Sequence, residues 1–286
     1  MNTVTTIADV RIALAEPRRA GLRIGLVPTM GAFHAGHLAL MERAREDCDL
    51  VVVSLFVNPA QFNETTDLAA YPRDLDRDRR LAEDAGVDLL FTPPTEEMYP
   101  PGFATTVSVA GVTEPLEGEQ RGPSHFEGVA TVVTKLLNIV GPDVAYFGQK
   151  DAQQAAMIRR LVADLDLPAR IEVVPTQREP DRLALSSRNL RLSPGERERA
   201  VALHRALQAI ATAIRNGSSE PATALAGGRA ELEAAGIEPE YLALVNPDDF
   251  TPARSTADEV LAVVAARVGE TRLIDNELIT PNGRRQ

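Results

Sequence analysis

The feature that most constrains this chain is an alternation running through its first two thirds. Short apolar runs rich in β-branched residues are separated by amphipathic, charged stretches. Residues 24–27 form an apolar run closed by Pro28, and Leu38, Leu40, Met41 and Ala44 then recur at helical spacing among charged neighbours. Residues 50–57 are nearly all apolar, the pattern of a strand buried on both faces. The series continues with a charged, helix-like stretch over 75–85 and a strand over 87–91 closed by Pro93 and Pro94. A helix is marked by Val129, Val132, Val133, Leu136, Leu137 and Val140; a strand follows over 144–147, a helix over 152–165 and a strand over 171–174. Strands that alternate with helices pair in parallel through right-handed crossovers. The prediction is an α/β fold built on an open, doubly wound parallel sheet. Ligands of such sheets bind beyond the carboxyl ends of the strands, so functional residues should follow strands.

After about residue 177 the pattern changes. Ser193, Pro194, Gly195 and Glu196 spell a helix start: a serine cap, proline at the first helical position and glutamate three residues after the cap. A long helix is expected from there to about Arg215, broken by residues 216–219, and a second over about 222–235. Strands are expected over 241–245, 260–268 and 271–275. The chain therefore divides into a Rossmann-like domain over 1–176 and a smaller α+β domain over 177–286. No internal repeat is visible, and the polar tail over 281–286 is expected to fray.

Charge and cysteine content exclude several classes. The 30 Lys and Arg against 41 Asp and Glu give a net charge of −11, which opposes a general nucleic-acid binder but leaves room for a small anion in a local basic pocket. One cysteine, Cys48, excludes an internal disulfide framework or a multi-cysteine metal site; it reads as packing filler and suits a reducing compartment. The N-terminus carries no signal-peptide pattern, and the apolar run over 50–57 is far short of the ~20 residues of a membrane span. A soluble, cytoplasmic protein without nucleic-acid or membrane partners is expected.

Four constellations carry chemistry, each directly after a predicted strand or at the domain boundary. The first is Pro28-Thr29-Met30-Gly31-Ala32-Phe33-His34-Ala35-Gly36-His37. Two histidines three apart at a helix start can donate to phosphate oxygens beside unpaired backbone N–H groups, and Gly36 lets a nucleotide approach. The second is Phe56-Val57-Asn58-Pro59-Ala60-Gln61-Phe62, where Asn58 and Gln61 could orient a small polar substrate; taken alone, the block reads as an Asn-Pro turn. The third is Phe147-Gly148-Gln149-Lys150-Asp151, followed by Gln153 and Gln154. Lys150 suits a phosphate and Asp151 ribose hydroxyls, or Asp151 is simply a helix cap. The fourth is Leu185-Ser186-Ser187-Arg188-Asn189, two hydroxyls and a guanidinium able to grip polyphosphate, or an ordinary polar loop.

The spacing Thr29-x-Gly31-x-x-His34-x-Gly36-His37 resembles the nucleotidylyltransferase superfamily, which implies ATP binding and attack at the α-phosphate. With Tyr71-Pro72-Arg73 added, the blocks together are similar to the pantothenate synthetase (pantoate–β-alanine ligase) family. The resemblance runs through essentially the whole chain and is dense from Val27 to Asn189. It implies ATP-dependent condensation of pantoate with β-alanine through a pantoyl adenylate, releasing AMP and pyrophosphate. By the same resemblance, Met30, Gly31, His34, Gly36 and His37 line the ATP site, with His37 as proton donor. His34, Lys150, Ser186, Ser187 and Arg188 hold phosphates. Gly148 and Asp151 meet the ribose, Gln149 belongs to the nucleotide-binding set, and Gln177 and Leu185 flank the nucleotide. Gln61 and Gln154 bind pantoate, with Asn58 beside them, and Gln61 also lies near β-alanine. Mg2+ is implied with the triphosphate, Asp78 is the expected metal contact, and a homodimer is the expected assembly.

The chain departs from the family pattern in two places. Leu185 stands where the family has Met, a roughly volume-conserving swap. The block Arg121-Gly122-Pro123-Ser124-His125-Phe126 is one residue longer than the family's, which leaves the role of Arg121 open. Three other functions compete. A nucleotidylyltransferase would keep the adenylylated product and need no amine, and a silent nucleotide-binding module would not turn over. A tRNA synthetase is opposed by the negative charge and the lack of an anticodon-binding extension.

Overall fold

The computed structural model describes residues 1–62, 68–69 and 71–281, so residues 282–286 of the expected polar tail lie outside the described residues. The chain forms two compact units: residues 1–148 with 157–175, and residues 149–156 with 176–286. The expected division falls between 176 and 177; here the main segment of the second unit begins at Thr176, and the turn that carries Lys150 groups with it.

The first unit is built on a parallel sheet. Its strands are β1 (Asn2–Val4), β2 (Ile24–Thr29), β3 (Leu50–Leu55), β4 (Leu89–Phe91), β5 (Val144–Gly148) and β6 (Arg170–Val174), in the order β1-β4-β3-β2-β5-β6. From β2 the chain steps outward through β3 to β4, then returns to the other side of β2 as β5 and β6. The strand order thus reverses between β2 and β5, where open α/β sheets place their ligand crevice. Val51, Val52 and Val53 are fully buried, as a central strand covered on both faces requires. The longer helices are α1 (Ile7–Arg19), α2 (Ala35–Asp47), α3 (Leu75–Asp84), α4 (Pro123–Val140) and α5 (Ala152–Asp164), whose first turn belongs to the second unit; single turns of helix cover Thr95–Met98 and Glu117–Arg121. Cys48 is buried with Sγ 3.3 Å from the Tyr146 hydroxyl, in the packing role expected of it.

Several element ends differ from the sequence reading. β2 does not stop at Pro28 but runs through Thr29, whose carbonyl accepts from Phe56 N–H on the β3 side. Backbone groups alternate sides along a strand, so Pro28 faces β5, and β5 pairs only with Gly25 and Leu26. A residue without an N–H breaks no ladder bond there. Strand β1 and helix α1 are additions to the sequence reading: β1 has only three residues, and α1 carries Pro17 in its last turn.

The second unit holds an antiparallel sheet of β7 (Pro239–Val245), β8 (Val260–Val268) and β9 (Thr271–Ile279) in that order. The long helix expected up to Arg215 is two helices, α6 (Pro194–Ala200) and α7 (Ala202–Arg215), and α8 (Pro221–Ala234) follows. The predicted capping box at α6 is present, with Ser193 and Glu196 capping each other's backbone N–H. Leu203, Ala206, Leu207 and Ile210 of α7 bury against Ala262, Val264 and Ala266 of β8. β9 runs four residues past its expected end at Asp275, and those residues matter below.

One close contact in the first unit is decisive for the site. A Cβ on Gly128 of α4 would lie 2.3 Å from the Ala60 carbonyl oxygen and 2.7 Å from Gln61 N. Both are backbone atoms, so the turn would have to move. Gly128→Ala is expected to lower the unfolding free energy by about 1–3 kcal/mol through overpacking. Urea denaturation checks this; an unchanged midpoint would contradict the contact.

Candidate active site

The loop after β2 is shaped by one buried carboxylate. Gly31 and Ala32 take left-handed backbone conformations, φ +82° and +52°, which turn successive N–H groups the same way. Ala32 N–H donates to Asp78 Oδ2 at 2.7 Å and Phe33 N–H to Oδ1 at 2.8 Å. A side chain on Gly31 would meet Asp78 Oδ2 at 2.9 Å, so glycine is required both for the turn and for the approach. Arg77 adds a bond from Nη1 to the Phe33 carbonyl at 3.0 Å. Asp78 is 1% exposed. Each Asp78 oxygen accepts a backbone N–H, so the carboxylate expected as a metal contact also anchors the loop. Among the described residues, no group of three or more His, Cys, Asp or Glu is arranged to hold a metal ion.

The anchored loop delivers two histidines to the N-terminus of α2. His34 is the cap residue, and its Nδ1 accepts from Gly36 N–H at 3.1 Å; His37 Nδ1 accepts from His34 N–H at 3.3 Å. This is a capping box made of two imidazoles in place of the usual hydroxyl and carboxylate. The rings lie 4.2 Å apart at 36°. A neutral imidazole that accepts at Nδ1 carries its proton at Nε2, so both side chains are set as Nε2–H donors. Gly36 serves the cap directly, since a Cβ there would lie 2.8 Å from His34 Cε1. Met30, half-buried, precedes this turn.

The block after β3 is arranged differently from the expectation. Asn58 is 1% exposed and turned inward. Its Oδ1 accepts from the Tyr99 hydroxyl at 2.8 Å and from Ala60 N–H at 3.3 Å, while Nδ2 donates to the Gly128 carbonyl at 3.0 Å and to Gln61 Oε1 at 3.1 Å. Asn58, expected beside the substrate, is thus a brace for the Gln61 amide. Because Gln61 Oε1 receives that bond, its Nε2 supplies the amide's donors. Burial pushes the Tyr99 hydroxyl up to about 12, which keeps its proton on the oxygen that Asn58 needs as donor. Tyr99 and Gly128 escape the sequence reading; His125, noted there only as part of the Arg121–Phe126 block, has Nδ1 2.9 Å from the Gln61 carbonyl. Nothing near them in sequence marks the contact. Arg121, left open above, donates to Glu117 Oε2 at 2.6 Å, an ion pair one helical turn apart.

In the second unit, a 3-10 turn over Gln149–Asp151 carries Lys150, whose ammonium lies 3.5 Å from Asp151 Oδ1. Lys150 shares a recess with Ser186, Arg188, Arg272 and Asp275. Two of the predicted phosphate-binding blocks are thereby brought together, and Arg272, paired with Glu240 at 2.7 Å, is a third cation that the sequence did not flag. The Ser186–Arg188 segment is held from behind. Ser186 Oγ accepts from Arg188 N–H at 3.2 Å, and buried Asn189 donates to Glu179 Oε1 at 2.8 Å and to the Ala184 carbonyl at 3.0 Å. The hydrogen bond from Arg197 holds the Glu179 carboxyl below the usual carboxylate range, with Asn189 adding to the effect. Ser187 opens the 3-10 turn over Ser187–Arg191, Leu185 N–H donates to the Gln177 carbonyl at 2.9 Å, and Gln154 is half-buried in the first turn of α5. Gln149, expected among the nucleotide-binding residues, donates from Nε2 to Asn276 Oδ1 at 3.0 Å.

The doubly wound sheet, with its polar loops at strand carboxyl ends, defines an α/β protein of the ligand-binding type. A family model for pantoate–β-alanine ligase matches residues 2–278, and the chain belongs to that family of ligases. It is 51% identical to pantothenate synthetase from Moorella thermoacetica over 99% of this chain and all of the relative. It is 50% identical to pantothenate synthetase 1 from Bradyrhizobium diazoefficiens, covering 98% and 99% of the two chains. The crystal structure of pantothenate synthetase from Thermus thermophilus superposes with a TM-score of 0.93 at 50% identity, over 98% of this chain and 100% of that one. A pantoate–β-alanine ligase from Francisella tularensis, complexed with β-γ ATP and β-alanine, gives 0.80 at 33% identity over 97% of each chain. The two-unit fold is that of these ligases.

The anchoring role of Asp78 is testable apart from catalysis. Asp78→Asn places an N–H2 group against backbone N–H donors and should cost about 1.5–3 kcal/mol of unfolding free energy. The loss should be equal in EDTA and in Mg2+; a loss confined to Mg2+-containing buffer would favour the metal contact instead.

Proposed function

We propose that this chain joins pantoate to β-alanine at the expense of ATP, in two steps. In the first, a pantoate carboxylate oxygen attacks the α-phosphorus of ATP, the bond to the bridging β-phosphate oxygen breaks, and pyrophosphate leaves. In the second, the β-alanine amine attacks the acyl carbon of the pantoyl adenylate. AMP leaves, the amine gives up a proton, and pantothenate is formed. The observation that carries this reading is the paired imidazole cap of α2, two Nε2–H donors fixed beside a helix N-terminus, in a chain of the pantoate–β-alanine ligase family.

The reaction asks the protein to align an in-line displacement and to neutralise charge growing on phosphate oxygens. Neutral Nε2–H groups can do this without a proton first having to arrive. In this reading His37 donates toward the leaving phosphate oxygen and His34 binds phosphate, with Met30, Gly31 and Gly36 shaping the loop. Lys150, Ser186, Ser187 and Arg188 hold phosphate oxygens, since Lys150, Ser186 and Arg188 already share one recess. Gly148 and Asp151 meet the ribose, while Gln177 and Leu185 flank the nucleotide. Gln61 and Gln154 receive pantoate, with Asn58 and Tyr99 holding the Gln61 amide. Mg2+ would travel with the triphosphate, as it commonly keeps water and phosphate ligands. The described residues do not fit a protein-built metal cage, and no step is assigned to it. The reading extends to a homodimer, which rests on the family alone, and to the cytoplasm, which a single cysteine suits. No helix among the described residues is long and apolar enough to cross a membrane.

AMP and pyrophosphate should appear together only when ATP, pantoate and β-alanine are all supplied. ADP, or a stable adenylylated product that no amine consumes, would contradict the proposal. His37→Ala and Lys150→Ala should each slow single-turnover adenylate formation by about 10²-fold or more, as for loss of a transition-state donor. Gln61→Ala should chiefly raise the KM for pantoate, and an unchanged pantoate KM would remove it from that role.

A further inference from the structure

We propose that Asn276 is a positioning residue for Lys150, and that its buried amide sets where the lysine presents its ammonium. The inference rests on the reading of Lys150 as a phosphate-binding group. Asn276 lies in β9 and is 4% exposed. Its Nδ2 donates one hydrogen to the Gln149 carbonyl and the other to the Lys150 carbonyl, both at 2.9 Å. Its Oδ1 accepts from Gln149 Nε2 at 3.0 Å. Both hydrogens and the oxygen of one side chain are thus committed to a single three-residue turn.

The chemistry of that turn explains why an amide is needed. Two successive carbonyls point at the same place, so the partner must offer two donors from one atom without bringing a charge. Aspartate would set acceptors against acceptors, and leucine would leave two buried carbonyls unpaired. Asn276 is itself held rigidly. Its N–H donates to Asp275 Oδ1 at 2.8 Å, and Asp275 accepts a bidentate pair from Arg178 at 2.7 and 3.0 Å. Arg178 pairs with Ala184 in the segment that leads to Ser186 and Arg188. Two consecutive residues of β9 therefore tie down both segments that line the recess: Asn276 holds the lysine turn, and Asp275 holds the serine–arginine segment.

The test is a double-mutant cycle on single-turnover adenylate formation at saturating ATP. Asn276→Leu and the milder Asn276→Ser, which keeps one donor, are each made in the native chain and in Lys150→Ala. If the amide acts through the lysine, each should slow the reaction by about 10- to 10²-fold in the native background. In Lys150→Ala the same changes should slow it less than about twofold, the non-additivity expected of residues that act as a unit. An equal slowing in both backgrounds would show general structural damage and overturn the proposal, as would a native rate in either folded variant. If Asn276→Leu does not fold, Asn276→Ser carries the cycle alone. A native rate in Lys150→Ala by itself would remove the reading of the lysine, and this inference with it. That failure is seen without any change at Asn276 and so is distinguishable from a failure of the brace.

Discussion

A neutral histidine has one nitrogen that accepts and one that donates, and the function argued for this chain depends on which is which. At the start of α2 both rings are committed by the same device. His34 and His37 each take a backbone N–H at Nδ1, as reciprocal caps of one helix end. The arrangement satisfies orphan donors of the first turn and, by the same bonds, fixes ring orientation and tautomer. A structural requirement of the helix thereby arms the site. Remaining features of the first unit serve to bring that helix end to the right place: the reversal of strand order between β2 and β5, the left-handed turn at Gly31 and Ala32, and the buried carboxylate of Asp78 that receives the turn's N–H groups.

The same logic recurs in the second unit and around Gln61. Three of the segments proposed to meet substrates are backed by a buried asparagine whose amide hydrogen-bonds to protein. Asn58 backs Gln61, Asn189 backs the Ser186–Arg188 segment and Asn276 backs the Lys150 turn. A primary amide suits this role because it offers two donors and an acceptor without charge; Asn58 and Asn276 have both donors and the acceptor satisfied, whereas the buried Oδ1 of Asn189 has no hydrogen-bond partner. Rigid backing of this kind is what an in-line displacement needs, since small misplacements of the reacting groups are expensive.

Much of this was legible in the sequence. The valine-rich run over 50–55 and its neighbours announced a parallel sheet, and the proline-and-glutamate start of α6 announced its cap. The histidine pair, Lys150, Ser186 and Arg188 stood out because each follows a strand or a boundary in a short block of unusual composition. What could not be read has a physical reason. Strand β1 is too short to show periodicity, and Pro28 looks like a terminator unless it is known that its missing N–H faces a stretch of β5 that does not pair. The loop-anchoring bonds of Asp78 are invisible in sequence because an isolated carboxylate carries no sign of what it accepts; only the fold brings Ala32 and Phe33 to it. Asn58 and Gln149 look like substrate contacts for the same reason, and their partners Tyr99 and Asn276 lie 41 and 127 residues away. Sequence shows which groups have the right chemistry, whereas the division between those that touch a substrate and those that hold them is made by long-range contact.

The central claim is the tautomeric state of the two capping histidines, and it can be measured without substrate or turnover. The chain has four histidines, few enough for complete assignment by two-bond proton–nitrogen correlation of a nitrogen-15-labelled sample near neutral pH. The account predicts that His34 and His37 are both neutral with the proton on Nε2 and a bare, accepting Nδ1. A spectrum showing either ring protonated at Nδ1 would mean that the cap does not set the donors, and would contradict the account at its root.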